Sequence, residues 1–293
     1  MNPRLLKTAF VAPTLLFLLA LNVFPLVYNI GLSFTDTHLA GRTSNWIGTD
    51  NYHTVFTDDR FAGAMRTTAA FVVTSVSIEL VLGFVLALCL QRAFRGKPVV
   101  LTLLLIPMML PPAVMGLYWQ QILDGSYGLL NHVLRGVGVN TANLSWLTEP
   151  SLKFPAIVLI DVWMWTPFCI LVSLAGLNAI PTHLYEAAEI DRASAWTVFR
   201  RITLPLCLPL LGLTVLLRAT DALKQFDLVM ALTGSNDSRT QTVSALLYQT
   251  GIRQSDLGLG AAYSCVVLVV VIAFATLFTT YLDRLQARQG RGG

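Results

Sequence analysis

The run LGLGAAYSCVVLVVVIAFATLFTTYL, residues 257–282, carries no charged side chain over 26 positions. As a helix it would extend about 39 Å, more than the ~30 Å hydrocarbon thickness of a bilayer. In hydrocarbon no water is present to bond the backbone, so a crossing segment must satisfy its own amides, as a helix or in a closed barrel. The run shows none of the apolar–polar alternation of a barrel strand, which leaves a membrane-spanning helix.

Outward from that run, further stretches of the same kind appear. Six spans are expected, at about 8–35, 67–91, 98–123, 154–177, 202–223 and 257–282. The first follows Arg4 and Lys7 and starts like a signal peptide. Its uncharged stretch far exceeds the roughly 7–15 residues of a signal core, so it reads as an uncleaved anchor. The third holds Pro107, Pro111 and Pro112. The fifth is the weakest: Ile202–Leu217 falls short of crossing length unless Arg218 and Asp221 are tolerated near its far end. The fold class is therefore all-α, a polytopic membrane protein forming a single transmembrane domain over 1–293.

Composition agrees. Only 12% of the 293 residues are charged, against about 25% in soluble domains, and 55% are apolar. Mean hydropathy is +0.64. An ordinary cytosolic enzyme is excluded, because its surface could not be solvated. The net charge of +4 does not point to nucleic acid, since the basic residues fall between apolar runs rather than along one face. Placing both termini and the 92–98 and 178–201 loops in the cytoplasm puts eleven Lys/Arg into 51 residues, against eight in the 100 residues of the opposite loops. The positive-inside rule selects that orientation.

No chemistry of catalysis is visible. Cys89, Cys169, Cys207 and Cys265 all lie in apolar runs and read as packing residues, and His38, His53, His132 and His183 are scattered. CxxC and HExxH are absent, and Gly96-Lys97-Pro98 lacks the upstream glycine of a phosphate loop. We expect no metal, no bound cofactor and no catalytic residue.

Between the fourth and fifth spans lies PTHLYEAAEIDRASAWTVFRRITLP, residues 181–205. Pro181 and Thr182 suit a helix start, and Leu184, Ala187, Ala188, Ile190, Trp196 and Phe199 form an apolar stripe among charges. Such a helix either lies on its own membrane domain or docks into a partner's groove.

Glu186-Ala187-Ala188, followed by Ile202-x-Leu204-Pro205, resembles the EAA signature of permease subunits of binding-protein-dependent ATP-binding-cassette importers. Ile190-Asp191, Ala193, Trp196 and Phe199 extend the match toward the sugar-permease branch. Weaker matches run from Trp46–Tyr52 through Arg95–Lys97, Gly128–Asn131, Ala175–Pro181 and Asp221–Asp227 to Leu232-Thr-Gly234. The resemblance implies the type I ABC importer permease fold and transport of a sugar or sugar-like polyol across the bacterial cytoplasmic membrane by ATP-driven alternating access. It implies a second, related permease in a heterodimer, two ATP-binding subunits that use ATP and Mg, and an extracytoplasmic substrate-binding protein. Glu186, Ala187, Ala188, Asp191, Arg192 and Ala193 would couple the chain to its ATPase. Arg192 stands where the family has a glycine, which argues against the usual left-handed turn there. Ser235-Asn236 replaces the family's Gly-Pro after Gly234.

Charges inside a membrane are expensive and mark either internal pairing or a cargo path. The candidates for the path are Glu79, Asp161, Trp163, Trp165, Asp221, Lys224, Gln225 and Asp227. Alternatively, Glu79 and Asp161 bond to neighbouring helices, and Trp163 and Trp165 sit at a membrane interface. Arg218, Asp221, Lys224 and Asp227 recur every third residue with alternating sign and could pair along one helix. Tyr52, Trp119, Tyr127 and Trp146 in the outer segments would either meet the binding protein or pack among themselves. A self-sufficient secondary transporter or channel is the competing expectation; it would usually show an internal repeat, and none is visible.

Overall fold

A computed structural model describes residues 3–39, 41, 44–141 and 144–289, with side chains between 10 and 284 in those stretches. Fourteen α-helices are found among them. In chain order they are α1 Pro3–Leu18, α2 Phe24–Leu32, α3 Asp50–Thr57, α4 Asp59–Gln91, α5 Lys97–Leu105, α6 Pro112–Ile122, α7 Leu129–Gly136, α8 Lys153–Asn178, α9 Thr182–Ile190, α10 Ala195–Val198, α11 Leu204–Ala222, α12 Asp227–Leu232, α13 Val243–Tyr248 and α14 Leu257–Gln289. π-Helical turns join α1 to α2, α10 to α11, and extend α13. The chain is all-α, as expected. Five described helices are long and apolar enough to cross a bilayer: Phe10–Leu32, Asp59–Gln91, Lys153–Asn178, Ala195–Ala222 and Leu257–Arg284.

The stretch 98–123, expected as one span, is instead two short helices. α5 ends at Leu105, a 3-10 turn holds Pro107–Met109, and α6 restarts at Pro112. Three prolines in six positions remove amide donors, and Leu110 and Pro111, each directly before a proline, take extended backbone (ψ 139° and 131°). The fifth span gains what it lacked. Its helix begins at Ala195, so it runs 28 residues to Ala222 rather than starting at about 202. The segment 181–205 is accordingly not one projecting helix but a short helix followed by the root of a membrane helix.

Backbone contacts gather into two compact units. One comprises residues up to Ala62 together with Leu246–Val270. Within it, Asn51 Nδ2 donates to the carbonyls of Ser33 (3.0 Å) and Thr35 (2.8 Å), and Phe34 stacks on Trp46 and meets Tyr52 at a tilt. The Trp46–Tyr52 motif thus ties α3 to the end of α2. Asn29 Nδ2 donates to Ser264 Oγ at 2.7 Å, and Tyr263 stacks on Phe61 while its hydroxyl donates to Asp58.

The second unit comprises Gly63–Ala245 and the chain from Val271 onward. Helix α8 is its centre, with Ile160, Met164 and Cys169 wholly buried. The segment 224–256, expected as an outer loop, contributes buried structure. Leu228, Val229 and Leu232 of α12 join Met115 of α6 and Ile160 of α8 in one apolar cluster. Close approach of α12 to α6 depends on Gly116, since a Cβ there would lie 2.5 Å from the Ala231 Cβ. Asn131, in the Gly128–Asn131 motif, is buried; it donates to the Gly125 and Leu144 carbonyls and accepts from Trp146 Nε1 at 2.9 Å. Tyr52 and Trp146 therefore pack internally, whereas Tyr127 is 70% exposed.

Candidate functional site: a buried ion network and its cavity

Three helices of the second unit each bring charge to one point. α4 supplies Glu79, α8 supplies Asp161, and α11 supplies Arg218 and Asp221. Arg218 Nε donates to Glu79 Oε2 at 2.7 Å, and its Nη2 donates to Glu79 Oε1 and Asp161 Oδ2, both at 3.0 Å. Its Nη1 donates to Asp221 Oδ2 at 2.9 Å. Four of the five guanidinium N–H groups are thus bonded to carboxylates, with the bidentate pair on Glu79. Glu79, Asp161 and Arg218 are each at most 2% exposed. Such burial is tolerable only because the charges compensate one another.

The network leans on neutral neighbours. The guanidinium lies over the Trp165 ring, 4.6 Å from its centroid, a cation–π contact. Gln225 Nε2 donates to Asp161 Oδ1 at 3.1 Å, and its Oε1 accepts from the Phe226 amide at 3.0 Å. Gln225 therefore fixes both the free oxygen of Asp161 and the turn that leaves α11.

Beside the network opens a cavity of about 200 Å³, lined by Pro112, Asp161, Trp165, Arg218, Asp221, Ala222, Lys224, Gln225, Phe226 and Asp227. Six of the eight residues expected on a cargo path converge on it or its wall. Glu79 does not line it: it sits behind Arg218. Trp163 points elsewhere on α8, 40% exposed and edge-to-face with Trp119 at 5.4 Å. The alternating charge series pairs only at its first step. Helix α11 ends at Ala222, so Lys224 and Asp227 lie beyond it, and neither forms an ion pair among the described residues. Arg218, read from sequence only as a paired charge, is the hub; its being the one Lys or Arg within the span 202–223 was the signal. A larger cavity of about 450 Å³ between α4, α11 and α14 is lined mostly by Leu, Val and Phe, with Tyr281 its one polar side chain, and offers little to a polar cargo.

Helix α9 has two faces. Leu184 and Tyr185 pack on the cluster around Leu174, Leu177 and Cys207, and Ala188 is buried. Glu186, Ala187, Asp191 and Arg192 are exposed, Ala193 is half-buried, and Ile190 is 82% exposed. The apolar stripe read from sequence therefore divides: Leu184, Ala188 and Phe199 turn inward, while Ala187, Ile190 and Trp196 stay outside. The turn expected to be lost at Arg192 is present. Arg192 holds φ +51°, with Ala193 N bonded to the Ala188 carbonyl (2.9 Å) and Arg192 N to that of Glu189 (3.0 Å). That is a Schellman cap with arginine in the left-handed position, and its two hydrogen bonds offset a cost of roughly 1–2 kcal/mol. Ser194 then caps the next helix through the Thr197 amide at 3.2 Å.

The family described as "Binding-protein-dependent transport system inner membrane component" matches residues 79–290, which include both the network and the α9 segment. The chain belongs to that family. This inner membrane component is 39% identical over 233 residues to the trehalose/maltose transport system permease protein MalF of Thermococcus litoralis, covering 80% of this chain and 78% of that one. It is 34% identical over 277 residues to the trehalose transport system permease protein SugA of Mycobacterium tuberculosis, covering 94% and 88%. A chain in the crystal structure of a bacterial ABC transporter that imports the acidic polysaccharide alginate superposes with a TM-score of 0.83, over 95% of each chain at 24% identity; it shares the fold. The resemblance first carried by Glu186-Ala187-Ala188 is borne out, and the chain is a transport component rather than a member of a catalytic family.

Proposed function

We propose that this permease component carries a sugar or sugar-like polyol inward by alternating access, driven by ATP that separate subunits hydrolyse. It would pair with a second, related permease as a heterodimer and with two ATP-binding subunits, and receive cargo from an extracytoplasmic binding protein. ATP and Mg belong to the ATPases, and no cofactor is bound by this chain. Both termini face the cytoplasm, following the distribution of basic residues.

The observation that carries the proposal is the division of labour on α9. Its inner face is anchored by Leu184, Tyr185 and Ala188, while Glu186, Ala187, Asp191 and Arg192 stand free. An anchored helix with a free outer face transmits a push from a cytoplasmic partner to α8 and α11. Glu186 would make polar contacts in the ATPase cleft, with Ala187 and the Arg192–Ala193 turn at its rim. The names of the similar MalF and SugA proteins support the cargo class, as does a membrane cavity offering an aromatic ring, carboxylates and an ammonium. The test is reconstitution with the partner subunits. ATP hydrolysis should be stimulated by a neutral disaccharide or polyol in the presence of the binding protein. Concentration of cargo by this chain alone, abolished by a proton-gradient uncoupler, would instead establish a secondary transporter.

A further inference from the structure

Arg218 lines the cavity but has little left to offer cargo. Four of its five N–H groups bond Glu79, Asp161 and Asp221, and one ring face of Trp165 covers it. That leaves Lys224 as the cation on the cavity wall without an ion pair among the described residues. Against it stand Asp221, whose carboxylate is half exposed, and Asp227, also without an ion pair. Counting Glu79, Asp161, Asp221 and Asp227 against Arg218 and Lys224 gives four negative and two positive groups, a formal charge of −2. Protonation of any one carboxyl still leaves the site negative. Gln225 adds no charge: one Nε2 N–H bonds Asp161 and its Oε1 accepts from the Phe226 amide, which leaves the cavity a single neutral N–H from it.

Resting on the proposed sugar transport, we propose that this cavity is a charge filter, with Asp221, Asp227 and Lys224 as its specificity-determining residues. It accepts uncharged polyhydroxylated cargo and rejects the same cargo bearing a carboxylate or phosphate. Hydroxyls donate to the free oxygens of Asp221 and Asp227 and accept from the Lys224 ammonium. An anionic group meets two carboxylates for every ammonium on that open wall, where Asp221, Lys224 and Asp227 are all exposed. Unit charges a few ångströms apart at an effective dielectric of about 20 change affinity by roughly tenfold or more. The arginine that would ordinarily receive an anion is held by carboxylates of the chain itself.

The test measures equilibrium binding to the assembled permease–ATPase complex without the binding protein, so that selection during delivery drops out. Trehalose and trehalose 6-phosphate serve as probes, read by saturation-transfer NMR at fixed ionic strength. Trehalose should bind at least tenfold more tightly than its phosphate. Asp227→Asn should narrow that ratio severalfold, and Lys224→Gln should widen it. The two variants move selectivity in opposite directions, which a general loss of folding cannot imitate. Equal binding of the two probes, or a ratio unmoved by both substitutions, overturns the filter while leaving sugar transport standing. Binding of neither probe, by wild type and both variants alike, overturns the filter together with the sugar assignment.

Discussion

The ion network around Arg218 and the outer face of α9 handle charge and apolar surface in opposite ways. In the network, charges from α4, α8 and α11 are buried and bonded to one another. On α9, Ile190 and the nearby Trp196 are left 82% and 67% exposed beside Glu186, although each would gain from burial. A buried charge without a partner destabilises the chain that holds it, so the network is completed within the chain. An exposed isoleucine costs the lone chain little but rewards whatever covers it. Self-sufficiency marks the interior element, and incompleteness marks the surface one.

That contrast breaks most sharply at Glu79. Glu79→Gln removes a charge that receives two of Arg218's hydrogen bonds. It should destabilise the folded protein by about 3–5 kcal/mol, seen as a lowered unfolding temperature in detergent. A Glu79→Leu/Asp161→Leu/Arg218→Leu variant, which leaves no buried charge without a partner, should recover much of that stability yet fail to transport. Glu186→Lys should do the reverse: folding and insertion unchanged, transport abolished and ATP hydrolysis uncoupled from cargo. Full uptake by that variant would remove α9 from the coupling role.

Smaller effects sharpen the picture. Gly116→Ala places a methyl 2.5 Å from the Ala231 Cβ, and should cost about 1–3 kcal/mol by pushing α12 off α6. Arg192→Gly relieves the left-handed backbone and should stabilise the α9 turn by up to ~1 kcal/mol with transport retained, whereas Arg192→Val should weaken coupling by distorting the cap. The smallest effect belongs to Asp237. Partial burial raises its carboxyl, but the Lys153 ammonium and the Arg239 amide outweigh this and hold it below the ordinary value. A depressed folded value stabilises above the unfolded carboxylate range and is lost as pH falls through it. Wild type should therefore lose a few tenths of a kcal/mol more than Asp237→Asn below about pH 4 in thermal melts.

Much of this was readable along the chain. The long uncharged runs implied all-helical crossing, and Glu186-Ala187-Ala188 implied the family, because bilayer thickness and a docking helix both act over consecutive residues. Asp161, Trp165, Asp221, Lys224, Gln225 and Asp227 could be singled out as polar groups in an apolar setting. Their assembly could not. Nothing in the spacing of Glu79, Asp161 and Arg218 distinguishes a cargo-contacting carboxylate from one held behind an arginine. Nor did local propensity reveal the cap at Arg192, where two tertiary-independent hydrogen bonds overrule the preference for glycine.

The sequence by itself determined that the chain is helical, that it lies in a membrane and which residues carry charge there, since each follows from solvation of short contiguous stretches. Only the tertiary structure decided that α12 packs on α6 and α8, that the prolines split 98–123, and that Arg218 gathers three carboxylates, one of them 139 positions away along the chain. The physical reason is that compensation of a buried charge depends on distance through space, which helix packing sets and the order of residues does not.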